Sequence, residues 1–243
     1  MRVLAAILLC ALSPLSASAA PERPDLEAVE RQVLVGTNEL RRGNGLPPLE
    51  ANAQLARAAQ AFADWMARHD DYGHEADGRS PTQRARAAGY RDCMVAENLS
   101  YQMRSRGFGT KDLAERLVSG WARSPGHRRN MLDAEAVDIG IAVAHSDETS
   151  RYYAVQLFGR PESMRFDFEV RNESREPFSY RVGDDAFDIP PRAIRRHSVC
   201  TDVEVVVGRR GGDRTFRPGR GDRISMTVRG RLEHEPGQKA NPR

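Results

Sequence analysis

Three short stretches combine ionisable side chains with residues that fix the backbone: Asp71-Tyr72-Gly73-His74, Ala96-Glu97-Asn98-Leu99 and Ser124-Pro125-Gly126-His127. Two imidazoles, His74 and His127, can bind Zn²⁺ or another divalent cation. Glu97 could complete a three-ligand catalytic site, or act as a base on metal-bound water. Without metal, a histidine–carboxylate pair can do acid–base work near neutral pH. No nucleophile accompanies these groups, since the chain has no G-x-S-x-G elbow. His74-Glu75 does not open a zinc-protease motif, because Gly78 stands where the second histidine belongs. A plainer reading stays open beside the chemical one: Glu97-Asn98 as a hydrogen-bonding pair that ties a loop, and His127 as a contact to a neighbouring element.

The elements that must position these residues are mostly helical in the first half. Leu26–Leu40 places Val29, Val33 and Leu40 on or near one face. Asn52 can cap a helix in which Leu55, Ala59, Phe62 and Met66 recur every three or four residues. Ser80-Pro81-Thr82-Gln83 is a capping box with proline at the first position. Leu113, Leu117 and Trp121 form a third stripe ending at Ser124, which with Pro125 can open a further helix. His69-Asp70-Asp71 reads as a solvated helix end.

From Asp138 onward the pattern is strand-like. Asp138–Ala144 and Arg151–Phe158 predict an antiparallel hairpin. Met164–Val170, Phe178–Val182, Ala186–Ile189, Ala193–Val199, Val203–Val207 and Ile224–Leu232 predict a small β-sandwich-like unit over 161–235, with 236–243 as a flexible tail. Arg195-Arg196 with His197 and Arg209-Arg210 could form a weak basic patch for an anionic polymer, though exposed strand charge is the simpler reading.

Arg2, the apolar run Val3–Leu12 and Ala17-Ser18-Ala19 predict a cleaved signal peptide over 1–19, and no later segment could span a membrane. An exported protein, periplasmic or extracellular, is expected. Cleavage leaves two of the three cysteines, Cys93 and Cys200, and an oxidising compartment favours one disulfide between them. The formal net charge is +3; residues 20–160 carry 19 basic and 20 acidic side chains, residues 161–243 carry 17 and 14, and Arg2 is the remaining basic residue. Neither half has the clustered basic face of a nucleic-acid binder.

The order of motifs carries a resemblance. A Gly-His pair follows the Trp65 helix, then come Arg84, Gly89-Tyr90, Glu97-Asn98, Trp121-x-x-Ser124-Pro125-Gly126-His127-Arg128-x-Asn130-Met131-Leu132, and Asp138-Ile139-Gly140. This resembles the secreted bacterial branch of the CAP superfamily (cysteine-rich secretory proteins, antigen 5, pathogenesis-related 1), from about Val33 to Gly159. The resemblance implies an α+β architecture: a CAP-type α-β-α sandwich over 25–160, followed here by the small all-β unit. It implies a cleft holding His74, Glu97 and His127, with Asn98 and Trp121 in supporting places. The family's second cleft glutamate falls on Ser124, so three ionisable cleft members are expected and a mechanism needing two carboxylates is not. The resulting expectation is an exported binding or envelope-associated protein with a small or polymeric envelope ligand, with a divalent metal such as Zn²⁺ as an optional partner. A hydrolase in the same cleft and a structural module with a vestigial cleft are the alternatives, and the balance leans away from an enzyme.

Overall fold

The computed structural model describes residues 23–208 and 212–237. The signal-type segment, Arg209-Arg210 and residues 238–243 lie outside the described residues.

The first part is built on a sheet of four strands in the order β1-β3-β4-β2: β1 (Glu50–Ala51), β2 (Asp92–Met103), β3 (Asp138–His145) and β4 (Arg151–Pro161). β4 pairs antiparallel with both β3 and β2, and β1 adds to β3 in parallel. Side chains alternate across a strand, so β3 and β4 serve two cores at once. Ile139, Val143, Tyr152, Ala154 and Phe158 face one side; Ala142, Tyr153, Val155 and Leu157 face the other. Burial on both faces is why these strands read as continuous apolar runs and not as alternating ones.

The helices cover both faces. α1 (Leu26–Gly43), α4 (Thr110–Arg123) and α5 (Pro125–Met131) pack on the first through Val29, Val33, Leu113, Leu117, Trp121 and Met131. α2 (Ala53–His69) and α3 (Pro81–Ala87) pack on the second through Leu55, Ala59, Phe62, Met66 and Ala85. Their starts follow the sequence grammar. Asn52 accepts from the Gln54 and Leu55 amides, and Ser80 with Gln83 forms the reciprocal capping box. Ser124 departs from it: it holds the N-cap position of α5 with extended backbone angles and Pro125 follows, but its side chain makes no cap hydrogen bond. Proline's fixed φ and its missing N–H start this short helix without one.

Residues 166–235 form two further four-stranded sheets. One runs β10-β9-β6-β7, from β6 (Phe178–Val182), β7 (Asp185–Ile189), β9 (Val205–Val207) and β10 (Arg214–Phe216). The other runs β12-β11-β5-β8, from β5 (Phe166–Asn172), β8 (Ile194–Val199), β11 (Arg223–Met226) and β12 (Leu232–Glu235). They share one core of Phe168, Val170, Tyr180, Val205, Val207 and Ile224. The single strand expected over Ile224–Leu232 is two strands, because Gly230 at φ 70° lets the chain reverse and its N–H donates to the Thr227 carbonyl at 2.8 Å. β10 had no sequence signal of its own. The start of the expected tail is held, since the Gly237 amide donates to Asp222 at 2.7 Å. Cys93, in β2, is bonded to Cys200, just after β8.

Candidate functional site

β2 is an edge strand of its sheet, and successive side chains leave it on opposite faces. Glu97 points toward α3 and Asn98 toward α5, so these two neighbours fix one histidine each. Glu97 Oε1 lies 2.8 Å from His74 Nδ1, in the turn after α2. Asn98 Nδ2 donates to the His127 carbonyl at 3.1 Å and to Gln156 Oε1 at 3.0 Å. Gln156 donates onward to Thr37 of α1 at 2.8 Å. Asn130, one turn beyond His127, donates to the Glu97 carbonyl at 3.1 Å and to Asn98 Oδ1 at 2.9 Å. The α5 backbone is thereby clamped to the strand that carries Glu97. Trp121 Nε1 donates to the Leu99 carbonyl at 3.0 Å, which sets α4 on the same strand. Arg41, fully buried, ties the end of α1 to the segment after α5 through the Met131, Asp133 and Ala136 carbonyls.

The Glu97 carboxylate is fully committed. Its second oxygen accepts from Arg84 Nη2 at 2.8 Å, and the same guanidinium nitrogen reaches the His74 carbonyl at 2.9 Å. Arg84 Nη1 pairs with Asp77 at 2.8 Å, and its Cζ stands 3.5 Å from the Phe62 ring centroid. The side chains of Arg84 and Glu97 are 2% and 1% exposed, whereas that of His74 is 54% exposed. The pair is therefore a buried post that presents an accessible imidazole. Burial pushes the Glu97 carboxyl above its ordinary value, against the pull of Arg84 and His74. Burial also lowers His127, and the nearby His74 lowers it further.

Of the expected trio, Glu97 is bonded to His74, and Asn98 and Asn130 hold the backbone of the His127 helix to the strand that carries Glu97. Ser124 sits at the α4–α5 junction. Cys93 and Cys200 lie apart from the trio, in the bridge. Among the described residues, no group of three or more His, Cys, Asp or Glu side chains converges as metal ligands would. Glu97 is not free to be a third ligand, but its bond to His74 Nδ1 leaves Nε2 as the ring's outward nitrogen. An imidazole oriented by a carboxylate through one ring nitrogen is the kind of donor a divalent ion takes at the other.

Sequence reasoning missed two participants. Arg84 stood out only through the family pattern, and nothing local signals that an arginine will be buried. Asp70, read as a solvated helix end, takes the left-handed conformation at φ 51° and accepts from Thr149, Arg151 and Tyr153. Its bonds tie the end of α2 to β4, just ahead of the His74 turn.

The profile of the Cysteine-rich secretory protein family, CAP, matches residues 36–158, or 123 of the chain's 243. The uncharacterized protein YkwD of Bacillus subtilis is 28% identical over 122 residues, which is 50% of this chain and 44% of that protein. The chain thus matches less than half the length of that relative. Among solved structures, an extracellular SCP-domain protein of Bacillus anthracis is 23% identical, with a TM-score of 0.48 over 58% of this chain and 45% of that one. An outer surface protein of Borrelia burgdorferi is 20% identical, with a TM-score of 0.47 over 55% of this chain and 93% of that one. With the family profile spanning half of the chain and the motif residues from His74 to Gly140 falling inside it, the chain belongs to the CAP, or cysteine-rich secretory protein, family.

Proposed function

We propose that this protein is exported and binds an envelope ligand in the His74/Glu97/His127 cleft, with the β-unit over 161–235 as a second contact surface. The observation that carries the reading is the division of labour at Glu97: both carboxylate oxygens are taken, one by Arg84 and one by His74. A carboxylate so engaged orients an imidazole; it is poorly placed to take a proton from water. This favours binding over hydrolysis in the cleft. Export is supported by the signal-type pattern of residues 1–19 and by the Cys93–Cys200 disulfide, which suits an oxidising compartment. No helix among the described residues is long and apolar enough to cross a membrane.

A divalent cation fits this reading. His74 Nε2 and a ring nitrogen of His127 would hold it, and bound there it would supply a Lewis acid for an anionic or carbonyl oxygen of the ligand. The chain's own residues do the rest: Glu97 fixes the His74 ring, Arg84 fixes Glu97, and Asn98 and Asn130 fix the backbone of α5. Calorimetric zinc titration tests the assignment. Wild type should bind one ion, and His74→Ala and His127→Ala should each weaken binding by about ten- to a hundredfold or more. Unchanged affinity in both variants would remove the metal from the cleft.

A further inference from the structure

Beyond Glu97, β2 keeps strict register with β4 from Met94 to Met103, so residues 97, 99, 101 and 103 share one face. Glu97 and Leu99 are buried, Tyr101 is 46% exposed and Met103 61%. At a strand's rise this line runs about 20 Å outward from the cleft carboxylate. Tyr72, two residues before His74 and 44% exposed, sets its ring 5.2 Å from that of Tyr101, nearly perpendicular at 80°. Tyr72 therefore bridges the cleft and the outer strand.

The rings are held in place before any ligand arrives. Tyr153 stands opposite Tyr101 across the ladder, with ring centroids 6.1 Å apart. The Arg151 guanidinium lies 5.1 Å from the Tyr101 centroid and is itself pinned to Asp70 at 2.9 Å. Half-exposed aromatics fixed this way offer contact area with little ordering cost. The chemistry around them selects a class of ligand. The Tyr153 hydroxyl, Arg151 and Asp70 lie together beside the Tyr101 ring. A wholly apolar ligand would strip water from those polar groups without replacing it. A polyanion would meet an Arg151 already paired with Asp70. A sugar ring carries a C–H face and a hydroxyl rim, and matches both features.

We infer that Tyr72, Tyr101 and Met103 form a carbohydrate-binding ledge that continues the His74/Glu97 cleft along β2 and takes an extended chain of β-linked pyranose rings. The inference rests on the reading of that cleft as the ligand site, and its length along the strand suits a polymer over a compact molecule.

The test is an NMR titration of the isotope-labelled protein with tetramers of β-1,4-linked N-acetylglucosamine and of β-1,4-linked glucose, with zinc titrated into the same samples. Wild type should bind at least one tetramer. Tyr72→Leu and Tyr101→Leu, which keep apolar bulk and lose the ring, should each weaken binding by about tenfold. Tyr101→Phe should retain it, and Val35→Ser, on an exposed part of α1, should behave as wild type. Thermal melts confirm that each variant is folded. Failure of wild type to bind either tetramer, or leucine variants that bind as wild type does, overturns the ledge. If zinc still binds and is lost in His74→Ala, only the ledge falls; if zinc binding is absent too, the cleft reading falls with it.

Discussion

Arg84 and Glu97 show how much of this site depends on one buried ion pair. Each side chain has given up nearly all its water, and the carboxylate's compensation is Arg84 with His74, while the guanidinium has Asp77 as well. Removing a partner from such a pair leaves an uncompensated buried charge. Arg84→Met should therefore cost about 3–5 kcal/mol. Glu97→Gln should cost less, because Asp77 still neutralises the guanidinium. Urea unfolding of both variants checks the order, and equal costs would mean that Asp77 does not share the charge. A second residue-scale prediction concerns His197, which the sequence reads, with Arg195-Arg196, as exposed strand charge before a weak basic patch. Its ring instead stacks on Phe168 at 5.0 Å and meets the Tyr180 hydroxyl at 2.7 Å through Nε2. Burial pushes the Tyr180 hydroxyl up to about 12, so it stays protonated through the neutral range. Burial, with the nearby Arg195, lowers His197 below the ordinary 6.5. The unfolded chain then binds a proton that the folded chain refuses, so stability is lost as pH falls below about 6.5 toward the depressed folded value. His197→Phe should flatten that part of the pH–stability curve; an unchanged slope would show that His197 titrates freely.

At the scale of elements, Gly140 marks the closest approach in the molecule's first part. It lies on the α2 side of β3, and a Cβ there would collide with the Leu55 carbonyl carbon and the Ala56 nitrogen. These are backbone atoms, which cannot swing aside as a side chain can. Gly140→Ala should push α2 off the sheet and cost about 3 kcal/mol or more, at or above the upper end of ordinary overpacking. Gly43→Ala, with open space around it, should cost little. Thermal melts of the two variants would separate close packing from a general intolerance of substitution. The helices were legible in the sequence because each buries one stripe, and a stripe at helical spacing is visible without a partner. β3 and β4 were legible as apolar runs. β2 was not, although it carries Glu97: Asp92–Met103 mixes buried, half-buried and exposed positions along an edge strand, so neither alternation nor an apolar run emerges. His74, Glu97 and His127 were found through the order of motifs. Arg84's burial and Asp70's bonds to β4 were not legible, because both depend on residues brought near only by the fold.

For the whole molecule, one covalent link spans two sets of cores. The α-β-α part closes its own two cores and the β-unit closes a third, with separate residues in each. Cys93–Cys200 joins them across 107 residues, beside Arg160, which bonds both Glu135 and the Cys200 carbonyl. A bridge closing so long a loop removes much of the freedom of the unfolded chain, worth up to about 4–5 kcal/mol on the chain-entropy model. The double variant Cys93→Ser/Cys200→Ser should therefore unfold at clearly lower denaturant, and its transition should broaden or split as the β-unit loses its tether. The zinc binding proposed for His74 and His127 should be the same in this variant as in wild type, since Glu97 is held by Arg84, His74 and Asn130 and not by the bridge. Loss of zinc binding in that variant would mean that the disulfide sets the position of β2 and that the two parts act on the ligand as one body. Retained binding with lowered stability would make the bridge a device of stability alone, separate from the residues that hold His74 and Glu97.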